Sequence, residues 1–83
     1  MKEQEIYEIV KGILVKRMGV SASAILPQSS LTEDIGADSL ELVDLMMDLE
    51  EILGIRIENS ELSDVETVRD VVNLVENKRN VTV

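Results

Sequence analysis

An all-α fold is what the 83 residues predict: a small four-helix bundle of three main helices and one short one, with a long loop between the first two helices. Three observations carry that expectation. Apolar residues recur at helical spacing in three separate stretches. Each stretch is bounded by capping or turn residues. Gly and Pro breaks and the lack of sustained heptads argue against a coiled coil and for a small bundle. Apolar residues make up 45% of the chain, enough for a core. Tyr7 is the sole aromatic, so that core is built from Ile, Leu, Val and Met. One small domain is all this length supports. Residues 1–78 form it in this reading, and 79–83 form a frayed tail.

Helix one spans about residues 3 to 18. Ile6, Ile9, Val10, Ile13, Leu14 and Met18 form its apolar face. Lys16 and Arg17 suit the negative end of its dipole, and Gly19 is a natural stop. Gly12 costs this helix roughly 1 kcal/mol relative to Ala, and close helix packing is the expected reason for it. Residues 19–37 then make a long connection, with Pro27 and several serines. Val20, Ile25, Leu26, Leu31 and Ile35 are expected to pin it to the core, with a short helical turn around Ser21–Leu26.

Helix two runs from Asp38 or Ser39 to Leu53 and ends at Gly54. Asp38 and Glu41 have capping-box spacing. Nine of residues 40–53 are apolar, which makes this helix central. Ile55 and Ile57 follow. A short helical stretch near Asn59–Asp64 turns Leu62 inward. The last helix starts near Thr67, faces Val68, Val71, Val72 and Val75 to the core, and frays after Asn77.

Charge narrows the function classes. The chain carries −9 at neutral pH. Residues 33–66 hold 12 acids and one base, Arg56, for −11, and the rest of the chain sums to +2. Nucleic-acid binding needs the opposite sign, so no nucleic-acid partner is expected. Anionic membrane surfaces are disfavoured for the same reason, and no apolar stretch is long enough to insert. A protein with a basic patch is the natural partner. No targeting segment is visible, so the chain reads as cytoplasmic, and a monomer is expected. Without Cys there is neither a disulfide framework nor a thiolate metal site, and without His the commonest general base is missing.

The segment D-I-G-A-D-S-L, Asp34 to Leu40, concentrates the chemistry. Gly36 allows a sharp turn, Asp38 takes the cap, and Ser39 takes the first helical position. The Ser39 hydroxyl then stands at the positive end of a helix, a suitable seat for a phosphate ester. Ordinary capping is the plainer meaning of Asp38 and Ser39 by themselves. Self-catalysis by Ser39 would need a base that the chain does not supply, which leaves modification by another enzyme. Below Ser39, Glu41, Asp44, Asp48 and Glu51 fall within an arc of roughly 80°, flanked by Leu40 and Met47 on one side. Ile52 and Leu45 begin the core on the other. A solvated face is the usual meaning of such a stripe. This helix, however, contains no base, and like charges at these spacings destabilise a helix slightly. An interaction face accounts for both facts. The spacing of Asp34, Gly36, Asp38 and Glu41 does not fit a calcium loop, so only diffuse divalent binding is expected and no metal site.

Taken together, these residues resemble the acyl carrier proteins. G-A-D-S-L, Gly36 to Leu40, is similar to the modification motif of the bacterial fatty-acid type. G-V at 19–20, S-L-T-E-D-I at 30–35, E-L-V-D-L-M-M-D-L-E-E at 41–51 and T-V at 67–68 extend the likeness over nearly the whole chain. The resemblance implies a four-helix bundle and a carrier, not an enzyme. It implies that Ser39, with Asp38 and Gly36 around it, holds 4′-phosphopantetheine, transferred from coenzyme A by a phosphopantetheinyl transferase. The arm's thiol would hold acyl intermediates of fatty-acid biosynthesis as thioesters, and the acyl chain would retreat into the bundle beside helix two. Acyl-processing synthase enzymes with basic docking patches would bind through Leu40, Glu41, Val43, Asp44, Met47, Asp48 and Glu51. Of these, Val43 is the one that the helical wheel places nearer the core. Leu31 stands where many members have Phe, Ile57-Glu58 replaces a common Ile-Pro, and Arg56 lies close to the recognition face in sequence. These departures keep a specialised carrier for polyketide, nonribosomal-peptide or other acyl transfer as an alternative. An acidic helical interaction module that is never modified is the alternative from a different class.

Overall fold

The computed structural model describes residues 2–80. It holds three α-helices, α1 (Glu3–Met18), α2 (Ser39–Leu53) and α3 (Val68–Asn80). Two short 3₁₀ segments, Ala22–Ala24 and Asn59–Asp64, lie in the connections. The molecule is thus the expected small helical bundle. α1 packs chiefly on α3 and less extensively on α2.

At or just before each helix start, backbone N–H groups find side-chain acceptors, as the lack of intrahelical partners there requires. At α1 the Glu5 carboxylate accepts from the Lys2 N–H at 3.0 Å. At α2 the Asp38 side chain accepts from the Glu41 N–H at 2.8 Å, and the Glu41 side chain accepts from the Asp38 N–H at 3.0 Å. At α3 the Asp70 carboxylate accepts from the N–H groups of Glu66 (2.9 Å) and Thr67 (3.0 Å), while Thr67 Oγ1 accepts from the Asp70 N–H (3.2 Å). α1 and α2 end at Gly19 and Gly54, whose N–H groups donate to Val15 and Glu50 carbonyls.

The core is aliphatic throughout. α1 gives it Ile6, Val10 and Leu14, and α2 gives Leu45, Met46, Leu49 and Leu53. α3 gives Val68, Val71, Val72 and Val75. Ile25, Leu31 and Ile35 bring the long connection into the same cluster, and Leu62 packs against it from the second 3₁₀ segment. That connection is organised by hydrogen bonds. The Leu31 N–H donates to the Glu66 carbonyl at 2.9 Å, and the Val68 and Arg69 N–H groups donate back to Ser29 and Pro27 carbonyls. Tyr7 donates its hydroxyl proton to the Ile25 carbonyl at 3.0 Å. The expected turn near Ser21–Leu26 is the 3₁₀ segment Ala22–Ala24.

Three expectations are corrected. Gly12 faces open space, since a Cβ built there meets nothing within 4 Å. Its cost to α1 of about 1 kcal/mol therefore brings no close helix packing in return. Leu26 is exposed rather than a core pin, because the 3₁₀ turn rotates it outward while Ile25 turns in. α3 does not stop at Asn77 but continues to Asn80. Lys78 pairs with Glu61 at 2.8 Å, and Arg79 donates to the Leu53 carbonyl at 3.2 Å, so the last turn is tied to two other elements. The remainder of the tail, 81–83, lies outside the described residues.

The Asp70 cap makes a measurable prediction. The backbone N–H groups of Glu66 and Thr67 hold the Asp70 carboxyl below the usual carboxylate range. A depressed folded-state pKa adds stability above the unfolded value, and that stability is lost as pH falls through the folded value. Asp70→Ala should lower unfolding free energy by about 1 kcal/mol at pH 7. In urea titrations the gap from the parent should close as pH drops below about 4.

Candidate functional site

Chain geometry delivers Ser39 to the surface at the first position of α2. The loop before it is folded on itself. Ser30 donates its N–H to Asp34 Oδ2 at 2.7 Å, and the Asp34 and Ile35 N–H groups return to the Ser30 carbonyl at 3.0 Å. Ala37 is buried and donates its N–H to the Leu31 carbonyl at 2.8 Å. Between Ile35 and Ala37 the chain reverses through Gly36 at φ +85°, a conformation that side chains disfavour. Asp38 follows in extended conformation and closes its reciprocal pair with Glu41. The hydroxyl of Ser39 is not drawn into that pair. Asp38 and Glu41 use their own N–H groups in the capping box, while helix geometry leaves those of Ser39 and Leu40 without intrahelical acceptors. An exposed hydroxyl beside free N–H groups at the positive end of a helix dipole suits a phosphate ester.

The predicted stripe forms below it. Leu40 is 70% exposed, Met47 58% and Val43 36%, so all three apolar members reach solvent. Val43 therefore stands on the outer face, where the resemblance puts it and the helical wheel does not. Glu41, Asp44 and Asp48 are half-buried and Glu51 is exposed. Ile52 departs from expectation. It is 57% exposed instead of beginning the core, because Leu49 and Leu53 fill the inward positions at that end of α2. With Ile13, Lys16, Arg17, Asp48 and Glu51 it lines an open groove of about 540 Å³ between α1 and α2. Arg56, whose sequence position suggests the same face, is pointed at Glu58 at 3.6 Å.

The residue that sequence reasoning missed is Arg17. Its place in the last turn of α1 suggests a partner for the helix dipole, but its guanidinium crosses to α2. Nη2 donates to Asp48 Oδ1 at 2.9 Å, Nε donates to Asp48 Oδ2, and Nη1 stands 3.9 Å from Asp44. The hydrogen bonds from Arg17 hold the Asp48 carboxyl below the usual range. No signal in the sequence announces this contact, since the two residues are 31 positions apart. Among the described residues, no three acidic groups converge as metal ligands would.

Comparison with known proteins bears on this site directly. Residues 8–75 match the family described as "Phosphopantetheine attachment site". An acyl carrier protein of Thermotoga maritima is 40% identical over 75 residues, which cover 90% of this chain and 93% of the relative. One from Petrotoga mobilis is 42% identical over 81 residues, covering 98% and 95%. The crystal structure of an acyl carrier protein from Thermotoga maritima superposes with a TM-score of 0.82 at 26% identity, covering 95% of this chain and 92% of that one.

The turn before Ser39 can be tested for strain. Because a Cβ at Gly36 meets no atom within 4 Å, Gly36→Ala should act through backbone conformation alone. The expected loss is about 1–2 kcal/mol of unfolding free energy, measured by chemical denaturation.

Proposed function

The chain belongs to the acyl carrier protein family, and from that premise we propose that its 4′-phosphopantetheine arm is attached at Ser39. Members of this family are carriers and not catalysts. They receive the arm from a phosphopantetheinyl transferase and present acyl groups to acyl-processing enzymes. The observation that carries the assignment to Ser39 is its placement: an exposed serine at the first position of a capped helix, within G-A-D-S-L.

The residues fit the arm by their chemistry. Ser39 offers the hydroxyl for a phosphodiester, and the first-turn N–H groups with the helix dipole favour the phosphate's negative charge. Asp38 and Gly36 act indirectly: they set where α2 starts and hence which way the hydroxyl points. When bound, the arm supplies the thiol that holds the acyl group as a thioester. The chain has no His, and the neighbouring Asp38 and Glu41 carboxylates are engaged in the α2 cap, so the proton of the Ser39 hydroxyl is assigned to a group of the transferase as the phosphodiester forms and adenosine 3′,5′-bisphosphate leaves coenzyme A.

Docking is assigned to the outer face of α2. Leu40, Val43 and Met47 give it apolar contact, and Glu41, Asp44, Asp48 and Glu51 give it charge. Partners with basic patches complement this pattern. The cargo we assign is acyl intermediates of fatty-acid biosynthesis, handled by a cytoplasmic monomer. No described helix is long and apolar enough to cross a membrane.

Intact mass and thiol titration test the attachment. Incubation of the apo protein with coenzyme A, magnesium and a broad-specificity transferase should add one phosphopantetheinyl group and one thiol. The chain has no Cys, so any thiol belongs to the arm. Ser39→Ala should gain neither, and loading of that variant elsewhere would refute the assignment. For docking, Asp44→Lys is the cleaner probe, because Glu41→Lys would also break the cap of α2. It should raise the transferase's KM for the carrier about fivefold to tenfold, and added salt should raise the parent's KM as well.

A further inference from the structure

The acidic face of α2 is partly occupied from within the chain. Arg17, in the last turn of α1, grips Asp48 through two hydrogen bonds and lies 3.9 Å from Asp44. A two-pronged guanidinium on a carboxylate is the contact that a partner's arginine would make with the same acids. We propose that Arg17 is a built-in competitor for the docking face, a specificity-determining residue that an incoming basic patch must displace from Asp48. This inference rests on the assignment of docking to α2.

Several observations point the same way. The pair is accessible, with side chains 40% and 30% exposed, so a partner can exchange with it while the bundle stays folded. It contributes little to the fold, since α1 is held to the core by Ile6, Val10 and Leu14 instead. Its neighbours are those of an interface edge: Ile13 and Ile52 border the groove, and Ile52 is 57% exposed. The remaining acids of the stripe differ in availability. Glu41 is committed to the cap of α2, while Glu51 is exposed. The contact therefore grades partners by chemistry. An arginine that reproduces the fork can take Arg17's place on Asp48, whereas a lysine brings only a point charge and competes less well.

The experiment measures steady-state loading of the full chain by a phosphopantetheinyl transferase with a basic carrier-binding face. Arg17→Ala and Arg17→Gln are compared with the parent, and thermal melts followed by circular dichroism verify folding. Arg17→Gln keeps a polar side chain should the alanine variant fold poorly. In both, KM for the carrier should fall about threefold to fivefold with kcat unchanged. KM should also depend more steeply on salt. Lys11→Ala removes the same unit of charge elsewhere on α1, where Lys11 sits over the Tyr7 ring, and should shift KM by less than half as much. An unchanged or higher KM in the Arg17 variants, or an equal fall in Lys11→Ala, overturns the proposal. Asp44→Lys separates the two levels. If it raises KM while the Arg17 variants do nothing, only the competitor role fails. If it too leaves KM unchanged, docking on α2 fails with it.

Discussion

The start of α2 is the constraint on which the rest of this molecule turns. Successive side chains of α2 are about 100° apart, so burial of Leu45, Leu49 and Leu53 fixes which residues face outward. The reciprocal Asp38–Glu41 bonds fix where that helix begins. They are backed by the buried Ala37, whose N–H is tied to Leu31, and by Leu31, whose N–H is tied to Glu66 at the threshold of α3. From that start Leu45, Leu49 and Leu53 point inward. By the same geometry Leu40, Val43 and Met47 turn outward with the acids and Ser39 is left at the exposed end.

Electrostatics and packing divide the work. The aliphatic core supplies stability, since burial of Ile, Leu and Val is worth far more than exposed ion pairs. The concentration of acid on residues 33–66 opposes compaction, so its presence fits a role in recognition. Within that field a few carboxylates are stabilised by local partners. Glu61 is held below the usual range by Lys78, and Asp48 by Arg17. Such groups add stability above the ordinary carboxylate pKa and lose it as pH falls through their own lowered values.

Much of this was readable residue by residue. Apolar spacing located α1 and α2 within a residue of their observed ends, because burial of one face and the capping groups act over a few neighbouring positions. The motif from Gly36 to Leu40 placed Ser39 for the same local reason: a turn residue, a cap and a first helical position follow one another directly in the chain. The absence of Cys and His leaves Ser39 as the proposed point of attachment.

What stayed hidden depends on contacts between distant parts of the chain. Ile52 looked like core by periodicity, yet α1 does not cover it, and it borders an open groove. Gly12 suggested close packing, yet no neighbour approaches it. Arg17 served the end of α1 equally well as a dipole partner, and its grip on Asp48 exists only because α1 and α2 are laid side by side. Helix boundaries and caps are local and are written in adjacent residues. Which faces meet, and which charges they bring together, follows from packing the whole bundle at once.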